Sequence, residues 1–152
     1  MNGVFSKIVV AMSGTESSEA AAVMGLRLSK VHGAKVMLVN VVDLALAAEI
    51  ARVMGRPQDQ VLADMEKSGR GILRHGEVLG NQEGVLVSTA LRRGSPHLEI
   101  VDEAESWGAD LIIIGSTHVA GPRPLAIGRV VERVIEHSAC PVLVVRRRAQ
   151  TV

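Results

Sequence analysis

Residues 109–145 read ADLIIIG-STHVAGPRPLAI-GRVVERVIEHSA-CPVLVV, and the fold turns on how these four pieces are parsed. The apolar run Leu111–Ile114 stops at Gly115, and a loop rich in proline and glycine follows. A helical pattern opens at Gly128, and a second apolar run starts after Pro141. Strand, loop, helix and strand make a βαβ unit. Its loop joins the carboxyl end of a strand to a helix N-terminus, where open α/β sheets bind phosphorylated ligands.

Working outward, the same alternation fills the chain. Lys7–Met12 (KIVVAM) reads as a first strand, broken by Ser13-Gly14-Thr15. Thr15 is a helix N-cap, with Glu16 and Glu19 favourable in the first turn. The helix carries Ala20, Val23, Met24, Arg27 and Val31 at helical spacing and ends at His32-Gly33. Lys35–Val42 is a second strand, and Asp43–Gly55 and Pro57–Leu79 both read as helices. The first of these is apolar through Leu44, Leu46, Ile50, Val53 and Met54. The second has Val61, Met65, Ser68 and Ile72 on one face, with Gly69, Gly71 and Gly76 weakening its latter half. Gly84–Leu91 is the third strand, followed by a turn at Arg92-Arg93-Gly94. Ser95-Pro96 opens the next helix as N-cap and first-turn proline. Its buried stripe is Ile100, Val101, Ala104 and Trp107, and that spacing makes Trp107 a core residue rather than a ligand-stacking one. The strand Asp110–Ile114, the helix Gly128–Ser138 and the strand Val142–Arg146 complete the order.

Composition agrees with this pattern. The chain has 152 residues, 47% of them hydrophobic and 1% aromatic, so its core is aliphatic. Val- and Ile-rich strands suit a parallel sheet covered on both faces. A length of one domain is expected, spanning residues 1–148 with a short tail at 149–152. Net charge is +1, which gives no footprint for nucleic acid; Arg146-Arg147-Arg148 reads as a solvated strand end. Cys140 is the single cysteine and reads as a small buried thiol. The N-terminus lacks the layout of a signal peptide, and no run reaches the roughly 18 apolar residues of a membrane span. A cytoplasmic protein is expected.

Five strands alternating with helices form a doubly wound α/β domain. Strands 1, 2 and 3 run one way from the centre, and strands 4 and 5 the other. That reversal sets Met12-Ser13 beside Gly115, at the switch point where ligands bind.

At this point the residues resemble the universal stress protein family over the whole length. Three stretches carry the likeness: IVVAMSGTESSEAA, GSPHLEIVDEAESWGADLIIIGS and GRVVERVIEHSACPVLVVR. The resemblance implies a five-stranded parallel sheet in the order 3-2-1-4-5, of the adenine nucleotide alpha hydrolase type. It also implies a homodimer joined through the last strand, Val142, Leu143, Val144 and Val145, which fits an apolar edge that would be a liability unpaired. Nucleotide-binding members carry a glycine, two residues, a second glycine, nine residues, and a third glycine followed by serine or threonine. Here Gly115, His118 and Gly128 fall on the three glycine places and Arg129 on the hydroxyl place. Those members end strand 1 with an aspartate that holds the ribose; here that place is Ser13.

Each departure has a physical cost. His118 puts a side chain where a glycine lets backbone amides reach phosphate. Arg129 sets a cation at a helix N-terminus, opposing the dipole by roughly 0.3–1 kcal/mol unless an anion sits there. Ser13 offers one hydrogen bond where an aspartate offers two acceptors. The expectation is a non-catalytic stress-response binding protein with weak or lost adenine nucleotide binding. The alternative is a true ATP, ADP or other phosphate-ligand binder that uses His118 and Arg129. If a nucleotide binds, its base belongs near Met12 and Val41, and its phosphates near Gly115, Thr117, Gly128 and Arg129.

Rival chemistries fit less well. Ser13–Ser18 partly resembles the phosphate-gripping SGGxDS turn of ATP pyrophosphatases, but Thr15 and Ser17 depart from it and there is no length for a substrate domain. A flavodoxin-like carrier needs stacking aromatics, and Trp107 and Phe5 are badly placed for that. His32, His75, His97, His118 and His137 are scattered without a cysteine cluster, so no metal site is expected. Ser116 and Thr117 lie near His118 only along the chain, which makes no triad, and at most weak ATP hydrolysis is expected.

Overall fold

The computed structural model describes residues 3–116 and 127–146. In chain order the elements are β1 (Lys7–Ala11), α1 (Glu16–His32), β2 (Lys35–Asp43), α2 (Leu44–Met54), α3 (Gln58–Gln82), β3 (Val87–Gly94), α4 (Pro96–Trp107), β4 (Leu111–Gly115), α5 (Arg129–His137) and β5 (Val142–Val145). The strands form one parallel sheet in the order β3-β2-β1-β4-β5.

Alternation along the central strands sorts the core into two layers. Ile8 and Val10 of β1 pack with Ala21, Ala22 and Leu26 of α1 and Leu73 of α3. Val9 and Ala11 face the other way, onto Ile100, Val101 and Ala104 of α4 and Val131 and Val134 of α5. Trp107 joins this second layer from the rim, with Lys7 Nζ 5.4 Å from its ring centroid, so its expected packing role holds.

Several local expectations fail for identifiable reasons. In α1 the buried residues are Ser17, Ser18, Ala21, Ala22, Gly25, Leu26 and Ser29. The larger residues Met24, Arg27 and Val31 face outward. The helix lies close to the sheet, so that apart from Leu26 the residues beneath it are small: a Cβ on Gly25 would stand 2.7 Å from Val10 Cγ2. Similarly, the glycines of α3 do not interrupt it. Cβ atoms at Gly69 and Gly76 would strike Asn40 and Leu38, so these glycines set how closely α3 approaches β2. The packing gained offsets their poor helix propensity.

The third strand begins three residues later than its apolar pattern suggests. Gly84, at φ +70°, turns the chain out of α3, and Val85 N donates to Gly80 O at 2.8 Å. Arg92 and Arg93, expected in a turn, therefore lie within β3. Arg92 reaches across to α4 and pairs with Glu99, Asp102 and Glu103, while Arg93 pairs with Glu66 of α3. The three carboxylates, Glu103 foremost, hold the Arg92 guanidinium above its ordinary pKa. Charged residues are tolerated in this edge strand because helices on each side neutralise them.

Helix α2 buries only Ala47; Leu44, Leu46, Val53 and Met54 are exposed. Cys140 is half-buried rather than enclosed, with its Sγ 3.4 Å from Ser138 Oγ. Among the described residues no helix is long and apolar enough to cross a membrane.

Candidate functional site

At the carboxyl ends of β1 and β4 the chain departs toward opposite faces of the sheet, and a cavity of about 320 Å³ opens between them. Met12, Val39, Val41, Ile100, Ile114 and Val131 give it an apolar floor. Ser13, Thr15, Ser17 and Ser18 supply a hydroxyl rim, and Gly115 and Ser116 close one side. No histidine or carboxylate is among its described lining residues.

The rim is built by the turn after β1. Thr15 caps α1 as expected, its Oγ1 accepting from Ser18 N at 3.2 Å. Ser18 Oγ accepts from both Ser13 N and Gly14 N at 3.2 Å and donates to Thr15 O at 3.1 Å. Two backbone donors that could have faced a ligand are thus satisfied within the turn. Ser13 Oγ lies 3.2 Å from Thr15 Oγ1 and is exposed, so it can offer its hydroxyl outward. Ser17 Oγ donates to Ser116 O at 2.6 Å and ties this turn to the end of β4.

Gly115 makes that tie possible. A Cβ there would press on Ser17 C and lie 2.5 Å from Ser17 O and 2.7 Å from Ser18 N, both backbone atoms of α1. The glycine at the end of β4 therefore admits the first turn of α1. That role is independent of any phosphate.

Of the residues expected to form the site, Met12, Ser13, Val41 and Gly115 meet in this cavity. Gly128 does not line it; at φ +94° it is the backbone cap of α5, with no side-chain hydrogen bond. Arg129 opens α5 and is exposed, and it forms no ion pair with Glu132 or any other described carboxylate. It lines a neighbouring groove that shares Pro96 and Val130 with the cavity. Thr117 and His118 lie outside the described residues, as does the tail 149–152.

Sequence reasoning missed Asn40, Ser17 and Ser18 as lining residues. Asn40 is buried at 7% exposure and its Nδ2 donates to Met12 O at 2.8 Å, which fixes the last turn of the β1 backbone over the cavity. A polar residue near the carboxyl end of the apolar strand KVMLVNVVD was the available signal. For the serines it was the run Ser17-Ser18 where a helix normally presents apolar residues to a sheet.

At the expected dimer edge, β5 pairs with β4 and with no other strand among the described residues. Val142 and Val144 pack against the α4/α5 layer and Val145 against the other, whereas Leu143 is exposed.

The universal stress protein family model matches residues 5–146. Universal stress protein MJ0531 of Methanocaldococcus jannaschii is 32% identical over 148 residues, covering 95% of this chain and 84% of that protein. The structure of hypothetical protein MJ0577 superposes with a TM-score of 0.81 at 25% identity, covering 97% of this chain and all of that one. A universal stress protein from Archaeoglobus fulgidus, in complex with dAMP, superposes at 0.68 with 20% identity, covering 94% and 99%. The chain belongs to the universal stress protein family.

Proposed function

We propose that the protein is a non-catalytic stress-response binding protein that takes the base and ribose of an adenine nucleotide in the β1/β4 cavity and grips the phosphates weakly. The observation that carries this reading is the cavity itself, which pairs an apolar floor for a flat base with a hydroxyl rim for a sugar. The dAMP complex of a similar fold supports the same ligand class. Weak affinity follows from Ser13, which presents one hydroxyl in place of a carboxylate, and from a turn whose amides are already bonded to Ser18.

The rim supports the non-catalytic reading. Its hydroxyls bond to one another and to the backbone, with no adjacent general base among the described lining residues. The reading includes a cytoplasmic homodimer paired through β5, supported by an edge strand that has no outer partner strand among the described residues and by the exposed Leu143. The reading in which His118 and Arg129 hold a phosphate draws support from Arg129 alone, which is exposed and unpaired among the described residues.

Thermal unfolding with adenosine, AMP, ATP and cyclic AMP tests the proposal. A ligand at 100 times its dissociation constant stabilises by about 2.7 kcal/mol, which raises the melting temperature by several degrees in a chain of this size. A melting temperature unmoved by every one of these ligands at millimolar concentration would refute it.

A further inference from the structure

Where α5 packs on α4, two imidazole rings meet: His97 of α4 and His137 of α5 stand with ring centroids 5.3 Å apart, tilted by 50°. We propose that this seam is a pH-sensitive latch, in which a neutral His97 ring keeps α5 seated on α4 and its protonation drives α5 away, loosening one wall of the β1/β4 cavity. The latch stands on its own residues and does not require the adenine reading.

His97 is the second residue of α4 and is only 9% exposed. A cation in the first turn opposes the helix dipole, and a buried charge is costly unless it is paired. The groups around the ring do not supply that pairing. From α5, Arg133 and His137 oppose a charge on His97 and Glu136 favours one, but no described carboxylate forms an ion pair with the ring. The adjoining concavity adds Arg129 of α5 and Asp43 at the N-cap of α2, where Asp43 Oδ1 already accepts from Leu46 N at 3.1 Å. On α4 itself, Glu99 is drawn to Arg92. The His97 ring is held in place, with Nδ1 3.2 Å from Ser95 Oγ, and His137 Nδ1 donates to Arg133 O at 2.8 Å. Burial first, then Arg133 and His137, keep the pKa of His97 below its ordinary value against the pull of Glu136. The neutral ring therefore belongs to the closed seam, and a proton added there is relieved only by separation.

Helix α5 is the partner that yields. It has nine residues, and its N-cap, Gly128, makes no side-chain hydrogen bond. An isolated helix of that length is marginal in water, so tertiary packing holds it. That packing is the contact of Val131 and Val134 with the layer containing Ile100, Val101 and Ala104, the same seam that carries the two rings. Elements held in this way open locally before the whole chain unfolds. Val130 and Val131 of α5 line the β1/β4 cavity together with Pro96 and Ile100 of α4, so a shift of α5 moves part of that wall. A ligand seated there favours the closed seam, and its affinity falls in acid by as much as the closed form is depopulated.

Amide hydrogen exchange on the full chain tests the latch, measured at about pH 7.5 and about pH 5.5, either side of the ordinary histidine value, and corrected for the intrinsic rate. The amides of α1 serve as the internal reference. The expected result is a loss of α5 protection relative to α1 at the lower pH, absent in His97→Gln. An NMR titration of the parent chain keeps the test independent of that variant's folding: the α5 amide shifts should follow the His97 ring. Equal relative protection at the two pH values, the same loss in His97→Gln, or α5 shifts that do not follow His97 overturns the proposal. Adenosine affinity that falls with pH in the parent but not in His97→Gln supports the link to the cavity, and an affinity unchanged while α5 opens overturns that link. Loss of α5 protection without any adenosine binding leaves the latch standing and removes the adenine reading, and the reverse pattern does the opposite.

Discussion

Adding one methyl group at Gly115 separates the packing role of this glycine from any role at a phosphate. In Gly115→Ala the new Cβ would stand 2.5 Å from Ser17 O and 2.7 Å from Ser18 N, where 3.4 Å begins ordinary contact. The overlap is 0.9 Å against one atom (3.4 − 2.5) and 0.7 Å against the other (3.4 − 2.7), and both belong to backbone rather than to a side chain that can swing away. Relief requires α1 to move off the end of β4, which also stretches the 2.6 Å bond from Ser17 Oγ to Ser116 O. Overpacking costs about 1–3 kcal/mol, and orphaning a buried hydrogen-bond partner about 1–3 more. The sum, about 2–6 kcal/mol, is a large part of the 5–15 kcal/mol typical of a domain. Gly71→Ala in α3 is the matched control: its Cβ meets nothing within 4 Å, so the helix gains about 0.5–1 kcal/mol. Urea unfolding of the two variants, compared at equal m-value, should therefore move in opposite directions. Gly115→Ala within about 0.5 kcal/mol of the parent chain would refute the close approach of α1 to β4, since that is the range of ordinary surface substitutions.

Two other expectations follow from the fold. Because burial lowers the pKa of His97, the unfolded chain takes up the proton first as pH falls, so this residue's contribution reduces stability as pH drops below its ordinary value of 6.5. His97→Gln should flatten that part of a stability–pH curve measured by chemical unfolding, and an unaltered slope would show that His97 does not cause it. If the proposed pairing through β5 forms, Leu143→Glu should give monomers by light scattering while thermal unfolding of the monomer stays intact, because Leu143 is exposed whereas its neighbours Val142 and Val144 pack into the core. A dimer that persists would place the interface elsewhere.

Much of the fold was legible because its signal is periodic. Apolar runs, the Thr15 cap and the first-turn proline Pro96 mark the elements, and the strand order 3-2-1-4-5 is the one the family resemblance implies. What misled was size. In α1 the sheet-facing side is Ser, Ala and Gly around the single large residue Leu26, because the helix packs closely, so Met24 and Val31 pointed to the wrong face. The same closeness explains why Gly69 and Gly76 sit inside a continuous α3. Charge misled at β3, where Arg92 reads as turn but is neutralised by three carboxylates that only the tertiary fold brings near.

The candidate site was half legible. Met12, Ser13, Val41 and Gly115 converge because they end neighbouring strands, a property of topology that strand order predicts. Asn40 and the Ser17-Ser18 pair were not, since their importance comes from hydrogen bonds to backbone atoms distant in the chain or folded back in the turn. Arg129, expected near the phosphates, lines the groove beside the cavity rather than the cavity itself.

Whether the β1/β4 cavity accepts an adenine nucleoside is tested by calorimetric titration of adenosine into the parent chain and into Val41→Trp. Val41 is half-buried and lines the cavity, so an indole there fills the space without displacing the buried centre of the sheet. Saturable binding of one adenosine per chain, and its loss in Val41→Trp, are the expected results. No saturable heat from the parent chain, or the same affinity in both proteins, would contradict it.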